Sequence, residues 1–162
     1  MRIVRAMGVV AAAVLWTSSL ATADEANKLT YLTFSKAVQL PGVTLRAGKY
    51  RFELADPEES RQVVKVQSED GKQQFAMLIS IPNQMSRPAK DPVVLFTETS
   101  AGEPDAVKAF VYPGESIGYE FIYPRDEAIQ IAKRHHTSVL SKSGEKIERV
   151  DENGQTTSKD AR

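Results

Sequence analysis

Lys49-Tyr50-Arg51-Phe52-Glu53-Leu54 is the stretch whose reading decides the fold class. Tyr50, Phe52 and Leu54 point one way, and Lys49, Arg51 and Glu53 point the other. A period of two belongs to a strand with one buried and one wet face. That is the pattern of an antiparallel sheet. The pattern extends in both directions. Leu29–Ser35 and the short Val43–Leu45 precede it, rich in β-branched and aromatic residues. Gln62–Gln67 follows, with Val64 and Val66 on one face. Phe75–Ile81 sets Phe75, Met77, Ile79 and Ile81 on one face. Val93–Glu98, Ala106–Tyr112 and Gly118–Tyr123 complete the set.

Turn chemistry separates these runs. Pro41-Gly42, Ala47-Gly48, Glu69-Asp70-Gly71 and Ala101-Gly102-Glu103-Pro104 all break the pattern. Residues 82–92 hold three prolines, which excludes a central strand and predicts a long surface loop. About eight short strands at this spacing predict an all-β fold, a small antiparallel β-sandwich or barrel. One short C-terminal helix is expected from Arg125 to about Arg134. Pro124 suits its start, Asp126 and Glu127 lie in its first turn, and Lys133 and Arg134 in its last, an order that complements the helix dipole. Ala128, Ile131, Ala132 and His135 share one face. Thr137–Leu140 reads as a last short strand.

Residues 1–23 read as a signal peptide. Arg2 and Arg5 supply the positive start, Ala6–Trp16 is an uncharged and mostly apolar run, and Ala21-Thr22-Ala23 offers the small residues that signal peptidase accepts. The run falls short of the ~20 apolar residues needed to span a bilayer. No integral membrane anchor is expected after cleavage. The product, 24–162, is expected to be exported, to the periplasm or beyond the cell. Within it, 24–140 is expected to form a single β domain. Residues 141–162 carry ten charged side chains and few apolar ones, which predicts a disordered charged tail.

The whole chain has 162 residues, 21 basic against 21 acidic side chains, two His and no Cys. Without Cys there is no disulfide framework, catalytic thiolate or thiolate-bound metal. Removing Arg2 and Arg5 with the leader lowers the basic count by two and takes no acid, so the net charge becomes about −2. Nucleic acid is thereby excluded as a partner, since phosphate neutralisation needs a surplus of Lys and Arg. No cofactor is implied.

Three groups carry candidate chemistry. Gly114-Glu115-Ser116-Ile117-Gly118 matches the G-x-S-x-G elbow of hydrolases, and Asp126 with His135 or His136 follows in the chain. However, a strand pattern rather than a helix comes after Gly118, which favours a hairpin. His135-His136 offers imidazole to a metal, with Glu120, Asp126 or Glu127 as oxygen donors, although adjacent side chains diverge on a helix. Phe110, Tyr112, Tyr119, Phe121 and Tyr123 lie on two strands joined by a polar loop. They form either the floor of a ligand pocket or part of the core.

Leu40-Pro41-Gly42-Val43-Thr44-Leu45, Ala47-Gly48-Lys49-Tyr50-Arg51-Phe52-Glu53-Leu54 and Tyr112-Pro113-Gly114 with Gly118-Tyr119-Glu120-Phe121-Ile122-Tyr123-Pro124 resemble small secreted bacterial β-rich proteins of unknown function. The resemblance covers most of 29–140. It implies a β-rich envelope protein and carries no catalytic residue. The expectation is an exported non-enzymatic module that binds a small ligand or an envelope protein, or serves a structural role. The alternatives are a small hydrolase using Ser116 and a metal-dependent enzyme using His135 and His136.

Overall fold

The computed structural model describes residues 28–84, 88, 90–97 and 104–157. The expected signal peptide lies outside the described residues, as do 158–162 of the expected tail. Among these residues thirteen strands form two sheets, and one helix joins the first two strands of the second sheet. The fold is therefore all-β, with more strands than the eight expected.

The larger sheet is built on hairpins. Strands β1 (Thr30–Phe34), β4 (Gly48–Asp56), β5 (Ser60–Ser68) and the first half of β6 (Gln74–Gln84) pair antiparallel in that order. Gly71, at φ +72°, makes the turn into β6. A Cβ there would be strained by the backbone alone. At Ile79 β6 ends its pairing with Val63 of β5. From Ser80 to Gln84 it pairs instead with β9 (Ile117–Phe121). Then come β8 (Asp105–Val111), β2 (Val38–Leu40) and β3 (Val43–Leu45), while β7 (Val93–Phe96) also pairs with β8. No ladder among the described residues joins β1 to β3, so the sheet folds over without closing into a barrel.

The fold-over stacks the two halves face to face. Phe52 of β4 meets Phe110 of β8 with ring centroids 5.8 Å apart. Phe34 lies edge-on to Phe52, and Leu32, Leu40, Leu45, Leu54, Val64, Val66 and Leu78 fill the space around them. Each fully buried side chain of this size contributes about 1.5–3 kcal/mol against remaining exposed.

Two sequence expectations fail in β6. Residues 82–84 belong to the strand rather than to the loop expected over 82–92. Pro82 is tolerated because Ile79 turns its carbonyl toward β9, accepting from Ile122 N–H at 3.0 Å. By the alternation of an antiparallel ladder, Pro82 then faces away from β9, where its missing N–H breaks no bond. The apolar set of β6 is also divided, with Phe75 packed against the core beside Tyr50. Leu78 and Ser80 are buried, while Met77 and Ile79 stand 56% and 46% exposed.

The second sheet runs β10 (Tyr123–Pro124), β11 (Val139–Ser143), β12 (Lys146–Val150) and β13 (Thr156–Thr157). Helix α1 (Arg125–His135) joins β10 to its parallel neighbour β11. Its ends match the sequence. Pro124 precedes it, acids fill the first turn and bases the last, and His136 caps it in the left-handed region at φ 47°. Ala128, Ile131 and Ala132 face the core together with Val139 and Val150.

Residues 141–157, expected within a disordered tail, are thus part of the fold. Composition hid this because their charges are paired at long range. Arg149 reaches the buried Glu120 at 2.6 Å, and Arg125 reaches Glu148 at 2.6 Å and the Gly154 carbonyl at 2.8 Å. The phenol of Tyr123 donates toward the carbonyls of Val107 and Gln39, at 2.8 and 3.0 Å, and so ties the small sheet to the large one.

Two variants test this extension. Arg149→Met leaves Glu120 buried, with Asn83 as its remaining hydrogen-bond partner. It is expected to cost about 3–5 kcal/mol, the cost of leaving a buried charge unpaired. Truncation after Leu140 is expected to lower the melting midpoint further by uncovering α1. Thermal unfolding followed by circular dichroism measures both. A truncated chain as stable as the full one contradicts the assignment.

Candidate functional site

The five aromatic residues are all buried. Phe110 and Tyr112 meet at 4.6 Å, and Tyr112 and Tyr119 at 5.4 Å, both edge-on. Phe121 and Tyr123 join the same core. The set is therefore mostly a packed interior; Tyr119 also lines a cleft, and Phe121 and Tyr123 line a small cavity of about 20 Å³.

The G-x-S-x-G stretch forms the turn between β8 and β9. Gly114 adopts φ +80°, and Gly118 begins the strand pairing opposite Val111. A Cβ on Gly118 would sit 3.2 Å from a Val111 methyl. The glycines thus answer to the hairpin. Among the described residues no hydrogen bond joins Ser116 to Asp126, His135 or His136. The histidines diverge as adjacent residues do. His136 is exposed and meets Glu152 at 2.8 Å, while both ring nitrogens of His135 are buried without a partner among the described residues. No group of three or more His, Asp or Glu side chains among the described residues is placed to hold a metal ion.

An opening appears where β6 changes partners. Beyond Val63 and Ile79 the strands β5 and β6 part, and Ser80 Oγ donates to the Gln62 carbonyl at 2.9 Å in place of a ladder bond. The gap is a cleft of about 460 Å³. Glu59, Ser60, Arg61 and Gln62 form one wall, and Pro82, Ile117 and Tyr119 form the other. Its size falls in the range of small-molecule clefts, about 300–1,000 Å³.

Behind Tyr119 lie two orphaned polar atoms. The Tyr112 hydroxyl and Glu115 Oε2 are buried with no hydrogen-bond partner among the described residues. The other Glu115 oxygen meets Lys28 at 3.0 Å. Burial pushes the Tyr112 phenol well above its ordinary range, and the neighbouring Tyr119 and Glu115 push it further. Tyr119 is raised for the same first reason, and Tyr123 by burial and Glu127.

A second charged cluster holds the outer face of the first layer. The buried Glu53 is bonded by Arg51 along its own strand and by Lys65 across the ladder at 2.6 Å. Burial alone would raise its carboxyl, but hydrogen bonds from Lys65 and Arg51 prevail and hold it below its ordinary value.

Sequence reading named one residue of the cleft, Tyr119, as a pocket candidate and missed the others. Its residues come from three strands and form no motif, and the single signal was a proline inside an alternating run. No protein-family model, curated protein or solved structure matches this chain. Among the described residues no helix is long and apolar enough to cross a membrane.

Two pH titrations follow. Tyr112 and Tyr123 are expected to stay protonated beyond pH ~10, the ordinary phenol value. Tyrosinate absorbance should therefore show fewer than the five tyrosines ionising before the fold is lost. Glu53, with a depressed folded value, adds stability above the unfolded carboxyl pKa of about 4.3 and loses it as pH falls through the folded value. Glu53→Gln should flatten the acid limb of the stability curve. An unchanged acid limb refutes the ion cluster.

Proposed function

We propose that this chain is an exported, non-enzymatic β-domain that works by binding, in the periplasm or outside the cell. The leader pattern of 1–23 and the resemblance to small secreted bacterial proteins support export. The observation that carries the binding reading is the cleft between β5 and β6, formed where the candidate catalytic groups are not. Among the described residues no hydrogen bond joins Ser116 to Asp126, His135 or His136, and the two histidines differ in surroundings. The cleft, by contrast, joins an apolar wall to polar and charged side chains, the usual make-up of a ligand site. Either a small ligand or an exposed segment of an envelope protein would engage it.

Expression of the full chain in a bacterial host tests both halves. The expected product starts at Asp24 and is recovered outside the cytoplasm, as read by intact mass and fractionation. Native mass spectrometry or crosslinking in the envelope is expected to reveal a bound ligand or partner that Tyr119→Ala and Ile117→Asp diminish. Turnover of ester substrates lost in Ser116→Ala, or bound metal lost in His135→Ala, would replace this reading with an enzymatic one.

A further inference from the structure

Resting on that binding reading, we infer that the cleft takes a short zwitterionic peptide with apolar side chains, a dipeptide in the simplest case. Its walls differ in character. Glu59 and Arg61 stand exposed on one wall, and their side chains make no ion pair or hydrogen bond among the described residues. One anion and one cation call for a ligand carrying both opposite charges.

The two charges stand close together along one wall, which favours a short ligand. Glu59 and Arg61 are two positions apart, so their Cα atoms lie at most about 7 Å from each other. An extended dipeptide places its terminal ammonium and carboxylate about the same distance apart, at roughly 3.3–3.6 Å per residue. The guanidinium fork of Arg61 matches a carboxylate in two-point geometry. Glu59 faces the ammonium end.

The opposite wall takes the side chains. Pro82, Ile117 and Tyr119 line it, and Ile117 is 42% exposed, an uncovered branched side chain at the mouth. Covering such a side chain removes apolar surface from water, which favours binding. The backbone offers a third contact. Where β6 has left β5, the Pro82 carbonyl faces the gap by ladder alternation, free to accept the amide N–H of an added segment. Proline presents no N–H there, so this edge cannot extend into ordinary sheet pairing with another chain.

Titration of the full secreted chain with leucyl-leucine, followed by calorimetry and by amide NMR, tests the assignment. Saturable binding is expected, with shifts centred on residues 59–62 and 117–119. Arg61→Met and Glu59→Gln should each weaken it about tenfold or more, and N-acetyl-leucyl-leucinamide, which lacks both charges, should bind more weakly still. Both variants replace exposed side chains, and equal melting midpoints will confirm that they fold. No binding up to roughly 10 mM, or variants that bind as the parent does, overturns the inference. If native mass spectrometry meanwhile finds a different bound molecule, the binding reading stands and only the ligand class falls. Release of free leucine would support the cleft and overturn the non-enzymatic reading.

Discussion

The architecture depends on one strand serving two layers. β6 pairs with β5 up to Ile79 and with β9 from Ser80 onward. A flat sheet would have left Phe52 and Phe110 on one open face. Because β6 turns from one partner to the other, the sheet doubles over and these rings meet. The exchange interrupts a ladder, and an unsatisfied buried backbone group costs about 1–3 kcal/mol. Ser80 offsets this with its hydroxyl, which takes the Gln62 carbonyl that a backbone N–H would otherwise serve. Ser80 is fully buried, and no apolar residue of its size could do the same.

The sequence showed those parts of the fold that local chemistry determines. The alternation at 49–54 fixed β4 and its buried face, the Asp70-Gly71 turn fixed the β5–β6 hairpin, and the charge order of 125–135 fixed the helix. Phase was legible only where one face was clearly polar. In β6 both faces carry apolar residues, so period two located the strand but not the side that enters the core. Met77 and Ile79 lie outside, while the smaller Ala76 and the polar Ser80 turn inward with Leu78. The strand's two sets of partners decide this, and a local window does not contain them.

The segment after Leu140 was illegible for a related reason. Composition weighs charged residues as solvated, and those of 141–157 look too polar to order themselves. Their partners lie far away in the chain. Arg149 is held by Glu120, and Glu148 by Arg125, at separations of 29 and 23 residues. Ion pairs at the surface contribute little, but Glu120 is almost wholly enclosed, so removing its partner would strand a charge in the interior. One apolar residue, Val150, completes the attachment by entering the common core.

Motif reading failed at the site because motifs record local geometry that several tasks share. A tight turn with glycines at both ends exposes a serine in a hydrolase elbow, and the same glycines make the β8–β9 hairpin here. His136 likewise serves a helix end, where a residue in the left-handed region closes the last turn. The cleft has the opposite character. It arises from the parting of β5 and β6, so its walls are assembled from residues 59–62, 82 and 117–119 with no spacing to recognise. The feature that bends the sheet into two layers also leaves the gap between them, and in this fold the binding surface and the core have a common origin in the partner exchange of β6.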